Sequence, residues 1–310
     1  MIGLSTAWLT EKEGITGRRV IEEILDLGFR AVELEYRVTA EMFREMAPLI
    51  ANKNLRVLSV HNFFPLPAGL PSYCASGDLF LLSSPDDRER NRAVQYTVRT
   101  IQSAHDVGAS AVVLHLGRVD MDPEHGRFAG LFLNKTLGTP EGRRFRDSKL
   151  LERREKSKPY FEAVLRSLDH LTGEAAKLGM ALGIENRYYY HEIPDFEEIG
   201  HILKRFSGGP LSYWHDVGHA YVQERLGLTK AEKLLQAYRT RLLGVHIHDA
   251  QGLDDHWAPG TGEIEWSNLK ELIHRAAIKI LEVHQKADRR QLCQGRELVE
   301  RISLTHGQAF

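Results

Sequence analysis

Eight times along this chain a short run of Val, Ile, Leu and Ala gives way to a longer stretch with helical periodicity, and that alternation constrains the fold more than any other feature. A brief apolar run bounded by turn signals reads as a strand buried on both faces. Apolar residues recurring three and four apart read as an amphipathic helix packed against it. The strands are predicted at Ile2–Leu4, Ala31–Leu34, Val57–Val60, Ala111–Leu114, Ala181–Ile184, Leu211–Trp214, Leu243–Ile247 and Ile278–Leu281. The helices are predicted at Gly17–Leu27, Thr39–Asn52, Asp86–Val107, Tyr160–Leu178, Asp195–Phe206, Lys230–Arg239, Asn268–Arg275 and Arg289–Ile302. Gly28, Gly108 and Gly179 follow three of them, where glycine commonly closes a last helical turn. Eight strand–helix units in 310 residues match a (β/α)8 TIM barrel, an α/β fold, expected as one domain over residues 1–310. A doubly wound sheet would more often carry a glycine-rich phosphate loop after its first strand, and GLSTAWLT is not one.

The rhythm breaks once. Residues 117–158, after the fourth strand, form a polar stretch with eleven Lys or Arg against seven Asp or Glu, and are expected as a long insertion. Loops that follow barrel strands overhang the catalytic face. Such a segment is either a solvated surface insertion or a lid. As a lid it would bring Arg143, Arg144 and Arg146 near an anionic group of a substrate.

The strand ends share a chemistry. His61 ends the third strand, His115 the fourth and Glu185 the fifth; Asp216 and His219 lie just past the sixth, His246 ends the seventh and Glu282 the eighth. In a closed barrel these ends converge on one small area. Imidazole and carboxylate without thiolate suit a hard or borderline divalent metal such as Zn, Mn, Mg or Co. Any one of these histidines alone would read as a hydrogen-bonded structural residue; six strand ends in succession read as a metal site. The run GVHIHDAQGLDDH, residues 244–256, concentrates three histidines and three aspartates. Its Asp254 and His256 stand two apart, which puts both on one side of an extended segment as joint ligation requires. His248 and His284 each lie two residues past a strand-end ligand and are expected, with Arg187, around the ligands rather than among them. His215 should face away from Asp216 by the same alternation. His105, His170, His201 and His274 fall in helical stretches and His125 in the insertion, so none is counted in the site.

At these residues the chain resembles the xylose isomerase-like barrel superfamily, which holds sugar isomerases and epimerases and the apurinic endonucleases of the endonuclease IV type. The resemblance spans nearly the whole chain and rests on IENRYYY, HDVGHA, GVHIHDA and DDHWAPGTGEIEW. For the isomerase and epimerase branch it implies one divalent ion held by Glu185, Asp216, His246 and Glu282. The two glutamates would move a proton beside a metal-polarised carbonyl, with His219 as a polar helper at the substrate. For the endonuclease branch it implies three zinc ions. His61, His115 and Glu185 would hold one, Glu185, Asp216, His246 and Glu282 the second, and His219, Asp254 and His256 the third.

Composition favours the first branch. Net charge is −1, whereas nucleic-acid binding usually leaves a basic stripe, so a nucleic-acid partner is not expected. No wedge loop for a bent duplex is evident. The expected activity is therefore a divalent-metal-dependent isomerase or epimerase of a sugar, sugar phosphate or polyol-like substrate; the alternative is a multinuclear zinc phosphodiesterase. In the first case His61, His115, Asp254 and His256 would contact substrate hydroxyls. The first ten residues lack a basic leader and no run reaches membrane-spanning length, so the expectation is a cytoplasmic protein without a membrane partner.

Overall fold

The computed structural model describes residues 1–304. The barrel strands are β1 (Gly3–Ser5), β2 (Ala31–Leu34), β3 (Arg56–His61), β4 (Ala111–Leu114), β5 (Ala181–Glu185), β6 (Leu211–Asp216) and β7 (Leu242–Ile247). A small hairpin of β8 (Asp249–Gln251) and β9 (Asp254–Trp257) precedes the last barrel strand, β10 (Ile278–Leu281). The helices are α1 (Ala7–Thr10), α2 (Gly17–Asp26), α3 (Ala40–Asn52), α4 (Asp87–Asp106), α5 (His125–Leu133), α6 (Pro140–Lys177), α7 (Phe196–Arg205), α8 (Val217–Arg225), α9 (Ala231–Tyr238), α10 (Lys270–Arg275) and α11 (Arg289–Leu304). The eight parallel strands close in the order β1-β10-β7-β6-β5-β4-β3-β2, the (β/α)8 barrel that the alternation predicts. No helix among the described residues is long and apolar enough to cross a membrane.

Apolar faces of the helices pack on the outside of the strands. Val20, Ile21 and Ile24 of α2, Ile101 and Ala104 of α4, and Leu168 and Leu171 of α6 are fully buried there. The inside of the barrel holds a smaller cluster around Trp214, with Ala31, Leu58, Ala111, Val113, Ile278 and Ile280. Two glycines make room for that indole. A Cβ at Gly244 would lie 2.3 Å from Trp214 Cζ3, and one at Gly183 would lie 2.8 Å from Cε3. The indole in turn packs edge-on against the His246 ring, with centroids 5.0 Å apart, so it forms a rigid floor for the strand-end groups.

The segment 117–158 departs from the sequence expectation of a long irregular insertion. It folds into α5 and the first half of α6, a single helix of 38 residues that also includes the predicted Tyr160–Leu178. Thr139 caps it, accepting from the Gly142 amide, and Pro140 opens its first turn. The half before Pro159 shows little apolar periodicity because much of it faces solvent. There Lys149 and Lys156 both pair with Glu152 at helical spacing. Arg143 and Arg144 are exposed on the first turns of α6, Arg143 donating to the Gly138 carbonyl and Arg146 pairing with the neighbouring Asp147. These arginines do not contact the strand-end cluster among the described residues. Sequence reading also passed over two short helices, α1 and α8. The second starts directly at HDVGHA because Asp216 is its N-cap.

Candidate metal centre

Glu185 on β5, Asp216 on β6, His246 on β7 and Glu282 just past β10 come together as the convergence of strand ends requires. All four are buried, and one ligand atom from each lies within 4.8 Å of the others. His246 Nδ1 is 2.5 Å from Glu185 Oε1, 3.1 Å from Glu282 Oε2 and 3.7 Å from Asp216 Oδ2. Three carboxylates around one imidazole nitrogen in a site shielded from water are costly unless a cation is shared among them. Three oxygens and one nitrogen form a donor set that fits a divalent ion.

The carboxylates differ in their hold on a proton. Burial pushes Glu282 up to about 8, opposed by His246 and reinforced by Glu185, Glu33 and Asp216. Against the same cost of burial, His246, His115 and His61 hold Glu185 well below the usual carboxylate range. Asp216 is also held down against its burial, by His219 and His248.

Histidines ring this quartet, and their tautomers follow from their partners. The Nδ1–H groups of His61, His219 and His256 donate to the carbonyls of Asn62, Asn186 and Glu282, at 3.0, 3.0 and 2.9 Å. Each ring is thereby left with an Nε2 lone pair to offer. His61 and His115 reach the far oxygen of Glu185 at 3.9 and 2.8 Å and form a second ligand group with it. His248 Nε2 donates to Asp216, 3.0 Å from both carboxylate oxygens, while its Nδ1 accepts the His256 amide. His284 stacks parallel on His256, with centroids 3.9 Å apart, and its Nδ1 is 3.4 Å from Glu11. Arg187 is buried and spans Glu185, Asp78 and Glu192 at 3.2, 3.2 and 2.9 Å. His215 faces away from the quartet and pairs with the Tyr213 hydroxyl at 2.7 Å.

One residue moves. The expected pairing of Asp254 with His256 does not form: His219 and His256 are joined by Asp255, whose Oδ2 is 3.7 Å from the Nε2 of each. Asp254 points outward instead, bonding Trp257 Nε1 and Lys286. The D-x-H spacing puts both side chains on one side only where the backbone is extended throughout, and His256 has φ +58°, which breaks the strand alternation at that residue.

The match to a family model decides what this arrangement belongs to: residues 21–301 match the model described as the xylose isomerase-like TIM barrel. The chain is a member of that family. Solved structures agree in fold. The 3-keto-D-glucoside 4-epimerase YcjR from E. coli aligns at 14% identity over 97% of this chain and 98% of its own, with a TM-score of 0.64. A D-allulose 3-epimerase from Methylomonas sp. aligns at 15% identity over 97% of each chain, with a TM-score of 0.65. The TTHB071 protein from Thermus thermophilus, solved after soaking with zinc chloride, aligns at 19% identity over 99% of each chain, with a TM-score of 0.61. A search of curated proteins finds no match.

Within this xylose isomerase-like barrel, the APGTGEIEW segment serves as a brace. The fully buried Asp249 accepts from the Ala250 and Ile264 amides on Oδ1, at 2.9 and 3.0 Å, and from the Gly260 amide and Trp266 Nε1 on Oδ2, at 2.8 and 3.0 Å. A Cβ at Gly262 would lie 2.4 Å from Asp249 Oδ1, so the second glycine is a matter of space. The brace pins the β8–β9 hairpin that carries Asp255 and His256. Asn186, at the end of β5, acts similarly, accepting from the Asp216 amide and the Tyr213 hydroxyl and donating to the Asp216 carbonyl. Sequence reading missed Asp255, Asp78, Asn186 and Glu33. Only Glu33 carried a signal, as a lone charge within the strand AVEL.

Proposed function

We propose that this protein is a divalent-metal-dependent isomerase or epimerase acting on a sugar or a close sugar derivative. The observation that carries the reading is the buried quartet of Glu185, Asp216, His246 and Glu282, whose ligand atoms converge to within 4.8 Å. A divalent ion there would polarise a substrate carbonyl or hydroxyl and make the adjacent C–H acidic. Glu185 and Glu282, which both flank the His246 nitrogen, would take that proton and return it. The residues around them orient the sugar. His219 Nε2, His61, His115, Asp255 and His256 provide polar contacts for hydroxyls, and Arg187 steadies Glu185. The epimerase activities of the structural neighbours support this choice of substrate class.

The deciding experiment is solvent deuterium exchange into candidate ketoses and keto-glycosides in the presence of Mn, Co, Mg or Zn. The expected result is exchange at one carbon, lost in Glu185→Gln and in Glu282→Gln while each variant stays folded. Full turnover by both variants on a substrate that exchanges would refute the proton-transfer assignment.

A second reading has its own support. His61, His115 and Glu185 form one further ligand group, and His219, Asp255 and His256 another, so the site has donors for up to three ions. On that reading the protein is a multinuclear zinc phosphodiesterase. Metal content separates the two: about one ion per chain in active protein favours the isomerase, and two or three zinc ions favour the hydrolase.

A further inference from the structure

Glu33 stands in the middle of β2, fully buried, where a barrel strand would ordinarily place an apolar side chain. Its polar partners are Ser5 Oγ at 3.2 Å on Oε1, and Ser59 Oγ at 2.7 Å and His246 Nε2 at 3.0 Å on Oε2. No Lys or Arg pairs with it among the described residues. A carboxylate buried this way is costly, and a methyl-bearing side chain of the same size would pack without that cost. What Glu33 has that an apolar residue lacks is its hold on His246. By accepting from Nε2–H it fixes which ring nitrogen carries the proton, turns the ring, and leaves Nδ1 facing Glu185, Asp216 and Glu282.

We propose that Glu33 is the positioning residue of the metal centre, the buried carboxylate that presents His246 Nδ1 to the ion, with Ser5 and Ser59 holding Glu33 in turn. The inference rests on the reading of the quartet as a metal site. It adds a third layer of β1, β2 and β3 side chains beneath ligands that come from β5, β6, β7 and the end of β10. That layer joins the two halves of the barrel. The strands of the first half supply no ligand to the quartet, yet they set the orientation of its one nitrogen donor.

The test uses cobalt(II) alone, without sugar, titrated into the metal-free full-length protein against a chelator and followed by its visible absorption. Glu33→Leu is expected to weaken cobalt binding by roughly tenfold to hundredfold, the usual effect of removing such a partner, and to alter the absorption band of the saturated protein. Glu33→Gln keeps a neutral acceptor for Nε2–H and should recover part of the affinity. Ser59→Ala, which touches only Glu33's support, should show a smaller loss in the same direction. A merely structural role for Glu33 would leave the affinity and band of folded, saturated protein unchanged. Wild-type affinity and spectrum in Glu33→Leu would overturn the proposal, as would wild-type behaviour of both Glu33→Gln and Ser59→Ala if the leucine variant does not fold. Failure of the unaltered protein to bind cobalt would instead refute the metal-centre reading, and this inference with it.

Discussion

Replacing Asp249 by Asn tests whether the brace holds the hairpin. The carboxylate takes two hydrogen bonds on each oxygen, from Ala250 and Ile264 on one side and Gly260 and Trp266 on the other. An amide has only one acceptor oxygen, so in either orientation its NH2 group faces two N–H donors. Two charge-assisted bonds are lost at about 1.5–3 kcal/mol each, giving a cost of about 3–6 kcal/mol. That is a large share of the roughly 5–15 kcal/mol by which a domain is stable. The loss is expected first as local opening of residues 249–266 and then as a fall in global stability, since such segments open before the core does. Urea denaturation measures the second, and amide hydrogen exchange at Ile264 and Gly260 measures the first. If Asp255 and His256 depend on the brace, the variant also binds substrate less tightly. A denaturation midpoint and exchange rates like those of the unaltered protein would refute the argument.

Two further outcomes follow from the same structure. Arg153, buried on α6, donates to Asp195, to both Glu198 oxygens and to the Glu192 carbonyl, and Glu192 in turn holds Arg187 against Glu185. Arg153→Met should cost about 3–5 kcal/mol in urea denaturation by leaving Glu198 buried and unpaired, and Glu198→Gln added to it should recover part of that loss. A divalent ion that binds the quartet should raise the melting temperature, with the gain growing as the logarithm of its concentration over its dissociation constant and reaching about 2.7 kcal/mol of stability at a hundredfold ratio. A chelator should reverse the gain, and Asp216→Asn should abolish it; an equal gain in that variant would place the ion elsewhere.

Local sequence was sufficient for the scaffold and for bringing Glu185, Asp216, His246 and Glu282 to the strand ends. A barrel strand buried on both faces is mostly an apolar run, and polar residues gather where the strand emerges at the end of the barrel. His61, His115, Glu185, Asp216, His246 and Glu282 were therefore visible as interruptions of apolar runs, and their convergence follows from closure alone. The 38-residue α6 was only half visible, because a helix with much of one half in solvent needs no apolar stripe there. Choices that depend on contacts between distant segments left little local trace. Asp255 replaces Asp254 because one residue of β9, His256, takes a positive φ. Asp249 was one aspartate among three until the fold brought four donors to it from residues 250–266. Glu33, a lone charge within AVEL, has its partner only in the fold, where β7 sets the His246 ring against it, 213 positions away in sequence. The alternation of residues determined the barrel and which side chains reach its mouth. The tertiary structure decided which of them meet, since hydrogen-bond geometry over 3 Å is set by packing, which no single segment encodes.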